Sequence, residues 1–414
     1  MIKCKLGELL KIKHGYAFKS ENYVDKSQFA LVTLANISET NNFKFNYEKT
    51  TFYGADFPNE FILKPGDLIM PLTEQVIGLI GNSAFVPEMN NFTFVLNQRV
   101  GKVIWDENKV NKYYLHYLLA TQLVKEQLEY RASGTKQRNI SPENVYDVTV
   151  YIPELEIQNK IGNTLYSIES KINSNNKIIS ELEAMAKTIY DYWFLQYEFP
   201  NEEGKPYKSN GGKMIYNEML KREIPENWQV KNIMSFIKWE GTSQPPKACF
   251  IYEPKEGYIR FIQNRDYEDN SHLTFIPKNK ALGICDKYDI LIDKYGDAGK
   301  TRFGLEGAYN VALAKINVKN ELYKEYIRNV LSSDAVYTYL HNSSMASTRA
   351  SLNENNISYI NIVVPNNETL TKFNKLANNY IETTLKVKAE NEELTRLRDE
   401  LLPLLMNGQV SFKN

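Results

Sequence analysis

The chain repeats itself once, and that duplication limits its fold more than any other feature. Shifted by 212 positions, the segment from Val103 to Trp193 lies over Lys315 to Leu405 without a gap. Tyr114 and Leu115 then meet Tyr326 and Ile327, Leu119 meets Leu331, Leu128 meets Leu340, Ile140 meets Leu352, and Ile152-Pro153 meets Val364-Pro365. Upstream, with small gaps, LKPGDLIM (63–70) parallels CDKYDILI (285–292) and LLKIKHG (9–15) parallels SFIKWEG (235–241). Such a period is far too long for a solenoid, so the chain reads as two copies of one globular unit.

Each copy has the same internal order. β-rich runs come first, such as FALVTLANI (29–37) and GDLIMPL (66–72), or YIRFIQN (258–264) and YDILIDKY (288–295). A helical stretch follows (112–130 and 323–341), then a polar loop, a strand ending in Pro153 or Pro365, and a long helix. That order predicts an α+β domain carrying a helical arm.

The arms carry heptads. Ile161, Leu165, Ile168, Ile172, Asn175, Ile179, Leu182, Ala186, Ile189 and Trp193 alternate spacings of four and three, as do Phe373, Ala377, Tyr380, Thr384, Val387, Asn391, Leu394, Arg398, Leu401 and Leu405. One such helix would pack on its own domain. Two equivalent ones favour pairing with each other. In a fully overlapped antiparallel pair Asn175 faces Asn391, whereas a parallel pair sets each Asn against an apolar residue, at about 1–3 kcal/mol per unpaired amide. The antiparallel arrangement is therefore expected. A seam of 33 residues spans roughly 50 Å at about 1.5 Å per residue, enough for two similar modules to meet half-sites ~34–36 Å apart on B-DNA.

Charge excludes bulk attraction to nucleic acid, because 50 Lys+Arg balance 50 Asp+Glu. The balance is local too: residues 1–153 and 225–365 each carry 17 basic and 16 acidic side chains, against 9 and 11 in 154–224 and 7 and 7 in 366–414. No apolar run has the length of a membrane span, and the N-terminal MIKCKLGELLKIKHG lacks a signal peptide's apolar core, so a cytoplasmic protein is expected. Cys4, Cys249 and Cys285 lie far apart and away from the histidines, predicting neither disulfide nor zinc site. GDAGKT (296–301) resembles the end of a phosphate-binding loop, but Lys294 stands where its first glycine belongs, and loop and strand follow instead of a helix. No catalytic constellation emerges.

The central joint YDYWFLQYEFPNEEGKPYKSNGGKMIYNEMLKREIPENW (190–228), with IPELEIQNKI (152–161) and LLPLLMNGQV (401–410), closely resembles the specificity (S) subunit of type I restriction–modification systems. The resemblance covers almost the whole chain. It implies an α+β architecture of two target-recognition domains (1–153 and 225–365), spacer helices (154–198 and 366–410) that form an antiparallel coiled coil with pseudo-two-fold duplication, and a polar linker (199–224). It implies a non-catalytic subunit whose domains each read half of a bipartite double-stranded DNA target. Two methyltransferase (M) subunits are expected to bring S-adenosylmethionine and methylate adenines, and two restriction (R) subunits, when present, ATP and Mg²⁺; no cofactor or metal is expected in this chain. Pro153 and Gln158 belong to the resemblance, but Leu370 replaces that Gln in the second copy, so a partner contact through it is expected on one side only. With both domains near neutrality, the isolated chain is expected to bind DNA weakly.

Base-reading residues are nominated by side-chain chemistry alone: Arg for guanine edges, Gln and Asn for adenine. In the first copy these are Thr73 and Gln75, and Thr135, Lys136, Gln137, Arg138 and Asn139; in the second, Gln263, Asn264, Arg265, Tyr295, Lys300 and Arg302, and Ser347, Thr348 and Arg349. The competing reading is a coiled-coil adaptor between proteins, for which large apolar patches are expected in place of these Lys-, Asn-, Tyr- and Gln-rich loops.

Overall fold

One burial pattern marks the central strand of both copies. Val100–Trp105 and Leu313–Val318 each run buried, buried, half-buried, buried, exposed, half-buried. The half-buried lysine is clamped identically, Lys102 to Asp67 at 2.6 Å and Lys315 to Asp289 at 2.6 Å. These strands are therefore related by 213 positions, whereas the buried Tyr114 and Tyr326 are related by 212. The gap-free alignment from Val103 needs correction: the connection before the helix is one residue shorter in the second copy. A one-residue slip would turn every strand side chain to the wrong face.

The computed structural model describes residues 1–74, 78–89, 91–134, 137–268, 272–345 and 351–410. The chain divides into two compact units, Met1–Asn175 with Glu390–Asn414, and Asn176–Ala389. In the first, Leu10–His14, Val100–Trp105, Leu68–Pro71 and Ala84–Phe85 form one sheet in that order, and Tyr23–Val24, Phe52–Tyr53, Phe29–Val32 and Thr93–Leu96 another. Ile2–Lys5 pairs with Thr149–Ile152, tying the head's start to its end. Helices α1 (Lys112–Leu119), α2 (Gln122–Arg131) and α3 (Pro142–Tyr146) precede the long α4 (Leu155–Tyr190).

The second unit repeats the plan. Ile237–Glu240, Leu313–Val318, Ile290–Asp293 and Thr301–Arg302 form one sheet; Phe275–Pro277, Tyr258–Ile262, Gly307–Tyr309 and Ile284–Cys285 form the other, and Gln229–Asn232 pairs with Asn361–Val364. Helices α5 (Lys324–Ser332), α6 (Asp334–Met345) and α7 (Glu354–Ile357) lead to α8 (Asn367–Met406). The linker holds a hairpin, Met214–Asn217 with Arg222–Pro225, and Phe199 stacks on Trp228 at 4.7 Å.

Both arms enter both units, and in each they run antiparallel. In the first unit Ile161 and Leu165 of α4 share the core of Tyr114 and Leu118 with Leu405 and Met406 of α8, and Arg398 donates to Glu169 at 2.8 Å. Asn175 is wholly buried; its Nδ2 donates to Asn391 Oδ1 at 2.9 Å and to Glu390 at 2.8 Å, and its Oδ1 accepts from Lys171 at 3.0 Å. In the second unit α4 ends in a wider turn, where Gln196 N donates to Asp191 O, and Trp193 and Phe194 pack against Phe373 of α8, with ring centres 5.9 and 4.8 Å apart. Every seam position given by the heptads is buried or half-buried.

Gln158 serves the junction between head and arm. It is 1% exposed, accepts from Asn111 N at 3.1 Å and donates to Lys109 O and Pro153 O at 3.3 and 2.9 Å, so its side chain is committed within the chain. Leu370 is buried at the matching place, and the matching staple shifts one turn on, where Asn374 donates to Leu322 O at 2.8 Å. Gly162 lets α4 cross α1, since a Cβ there would lie 2.5 Å from Tyr114 N.

Two stability predictions follow from this packing. Asn175→Leu strips the amide's partners inside the seam and is expected to cost about 1–2 kcal/mol, while Asn175→Leu with Asn391→Leu recovers most of that loss in chemical denaturation. His116 is wholly enclosed in α1 beside Ser83 Oγ at 2.8 Å, and burial pushes its imidazole from 6.5 down to about 4. The folded head thus favours neutral His116: its contribution is complete above about pH 6.5 and is lost as pH falls towards about 4, at about 1.4 kcal/mol per pH unit. His116→Leu should flatten the fall in urea midpoint over that window; an unchanged slope contradicts the assignment.

Candidate nucleic-acid interface

Of the polar residues nominated from sequence, the described ones lie close together on each head. In the first, Thr73–Glu74 and Arg138–Asn139 form a short antiparallel ladder that joins segments 64 residues apart. Glu74 is 1% exposed and anchors it. One oxygen accepts from Arg138 Nε at 2.6 Å and also from Nη2, while the other accepts the backbone N–H groups of Gly78, Leu79 and Ile80 at 3.2, 2.9 and 2.9 Å. The carboxylate thus fixes the guanidinium on one side and folds the following turn on the other. Gln137 donates to Asn139 Oδ1 at 3.1 Å, and Asn139 is exposed. Gln75, Thr135 and Lys136 lie outside the described residues, as do Ser347, Thr348 and Arg349.

In the second head a comparable clamp binds Arg302. Its Nε and Nη2 donate to the wholly buried Asp293 at 3.3 and 3.0 Å, and its Nη1 to Glu268 at 2.9 Å. Burial raises the Asp293 carboxyl above its ordinary value, with Arg302 acting in the opposite direction. Arg302 is thus spent on two carboxylates, and Lys300 is shared between Asp297 at 3.3 Å and Glu268 at 3.5 Å. Asn264 donates to Tyr295 O at 3.4 Å, and Gln263 to Thr274 at 3.1 Å. Arg265 and Tyr295 stay exposed. The glycine-rich 296–301 loop connects strands Ile290–Asp293 and Thr301–Arg302, with Gly296 and Gly299 at φ of +77° and +96°.

The fold exposes an equivalence that sequence comparison missed. Phe29–Val32 and Tyr258–Ile262 both run parallel to a neighbour, and both end in a tight turn. In the first, Asn36 Oδ1 accepts Thr33 N at 2.8 Å; in the second, Asp266 accepts Gln263 N at 3.0 Å. Thr33-Leu34-Ala35-Asn36 therefore matches Gln263-Asn264-Arg265-Asp266. The available signal was a polar cap three residues before Asn or Asp, straight after an apolar run.

Among the described residues no group of three His, Cys, Asp or Glu side chains could hold a metal ion, and no helix is long and apolar enough to cross a membrane. A family model described as the type I restriction modification DNA specificity domain matches residues 2–184 and again 225–396. The chain is 25% identical over 334 residues to the type I restriction enzyme MjaIX specificity subunit of Methanocaldococcus jannaschii, covering 76% of this chain and 72% of that one. It is 23% identical over 368 residues to the EcoBI specificity subunit of Escherichia coli, covering 85% and 73%. The type I restriction–modification S subunit of M. genitalium shares its fold, with a TM-score of 0.63 at 14% identity over 98% of this chain and 95% of that one. With the family match spanning both heads and much of both arms, the chain belongs to the type I restriction–modification DNA specificity family.

Proposed function

We propose that each head reads one half of a bipartite duplex DNA target and that the paired arms set the separation of the halves. The observation that carries this reading is sameness of build with difference of surface. The heads share sheets, turns and lysine clamps, yet matched turn positions hold Thr33, Ala35 and Asn36 in one and Gln263, Arg265 and Asp266 in the other. Two readers of one design with unlike polar edges suit two unlike half-sites. Methyltransferase subunits, two in number, would bring S-adenosylmethionine and methylate an adenine in each half, and restriction subunits would bring ATP and Mg²⁺, all in the cytoplasm. This chain's part is to direct them, without catalysis of its own. The even charge of each head supports a division of labour in which partners closing around the duplex supply much of the phosphate grip.

Mapping methylated adenines in the host with and without the gene tests the proposal. A bipartite motif that disappears on deletion is the expected outcome, and an unchanged methylation map refutes it. A second prediction concerns Arg138. Because it neutralises a buried carboxylate, Arg138→Ala is expected to destabilise the chain by about 3 kcal/mol, lowering the unfolding midpoint. An unchanged midpoint with relaxed selectivity at one base pair would mark Arg138 as a base reader instead.

A further inference from the structure

The first head carries a cleft of about 500 Å³ beside the turn Thr33–Asn36. Among the described residues no carboxylate lines it, while Lys44 and Lys49 do, together with Thr33, Asn46 and Thr50. Both lysines are exposed, and neither has an ion-pair partner among the described residues. The larger cleft of the second unit, about 700 Å³, is lined by Lys187, Lys300, Arg302, Arg328 and Lys388, and each pairs with a carboxylate.

The lysines are also placed. Lys44 N donates to Asn36 O at 2.9 Å and Asn36 Nδ2 donates to Lys44 O at 2.9 Å, locking the Lys44 backbone to the turn. Asn46 Oδ1 accepts Lys49 N at 3.2 Å, and Thr50 Oγ1 donates to Asn46 O at 2.6 Å, fixing the second lysine's turn. In the second head the matching turn carries its own cation, Arg265, where the first has Ala35. Arg265 Nε lies 3.8 Å from Asp266 Oδ1, so that cation is balanced within its own turn, unlike the two lysines of the first head.

We propose that Lys44 and Lys49 form a phosphate-binding surface for the duplex backbone, holding the DNA so that base edges meet the Thr33–Asn36 turn. This rests on the DNA-reading function proposed above and deepens it by assigning a site to the first head. Lysine suits the task as a compact point charge without the planar fork that base recognition uses.

The test uses the complex with its methyltransferase subunits and duplexes carrying either the mapped methylation motif or random sequence. Lys44→Ala with Lys49→Ala should weaken binding to both duplexes alike and reduce the slope of log affinity against log salt by about 2. Lys44→Arg with Lys49→Arg should keep the original slope, and the unfolding midpoint should not move in either variant. An unchanged slope and affinity in the alanine variant overturns the proposal, as does relaxed preference at one base pair with the slope intact. Failure of the unmodified complex to prefer its motif would overturn the DNA-reading assignment itself, and this site with it.

Discussion

Neither head can close its core with its own copy's arm alone. In the first unit the apolar residues around Tyr114 and Leu118 are covered by Ile161 and Leu165 from one arm and by Leu405 and Met406 from the end of the other. In the second, Leu370, Phe373 and Ala377 begin one arm while Tyr190, Trp193 and Phe194 end the other. Burying large apolar side chains supplies most of the favourable free energy of folding, about 1.5–3 kcal/mol for each. The antiparallel course of the arms thus follows from the needs of the heads as much as from the heptads. Asn175 and Asn391 add register where apolar packing alone tolerates sliding.

The overall charge balance has a structural counterpart. Arg138 serves Glu74, Arg302 serves Asp293 and Glu268, and Lys102 and Lys315 serve Asp67 and Asp289. These cations hold loops and strands in place, and removing one would strand a buried or half-buried carboxylate. A head built this way holds its buried and half-buried carboxylates with its own cations. Lys44 and Lys49, which line one cleft together, are not part of that framework.

Much of this organisation was legible from the chain itself. The duplication, the heptads and the asparagine pair rest on periodicity, which helices report over many residues. The strands were less legible: gap-free matching followed the helices and drew Val103 over Lys315, although Lys102 is the true counterpart of Lys315. A six-residue strand offers too little pattern to reveal a one-residue difference in the connection after it. Nor could spacing reveal that Glu74 anchors Arg138, that Gln158 turns inward, or that Thr33 matches Gln263. Those relations join segments distant in sequence, and only the folded backbone brings them together.

The sharing of Leu405 and Met406 with the first core constrains any exchange of that head. Replacing residues 1–153 in one stretch would leave these two side chains behind, much further along the chain. An incoming head is accepted only if its core offers them a fitting cavity. Selection would then hold the inner wall of the head constant while its outer loops diversify, keeping the domain exchangeable between lineages even after its surface has lost all likeness to the original.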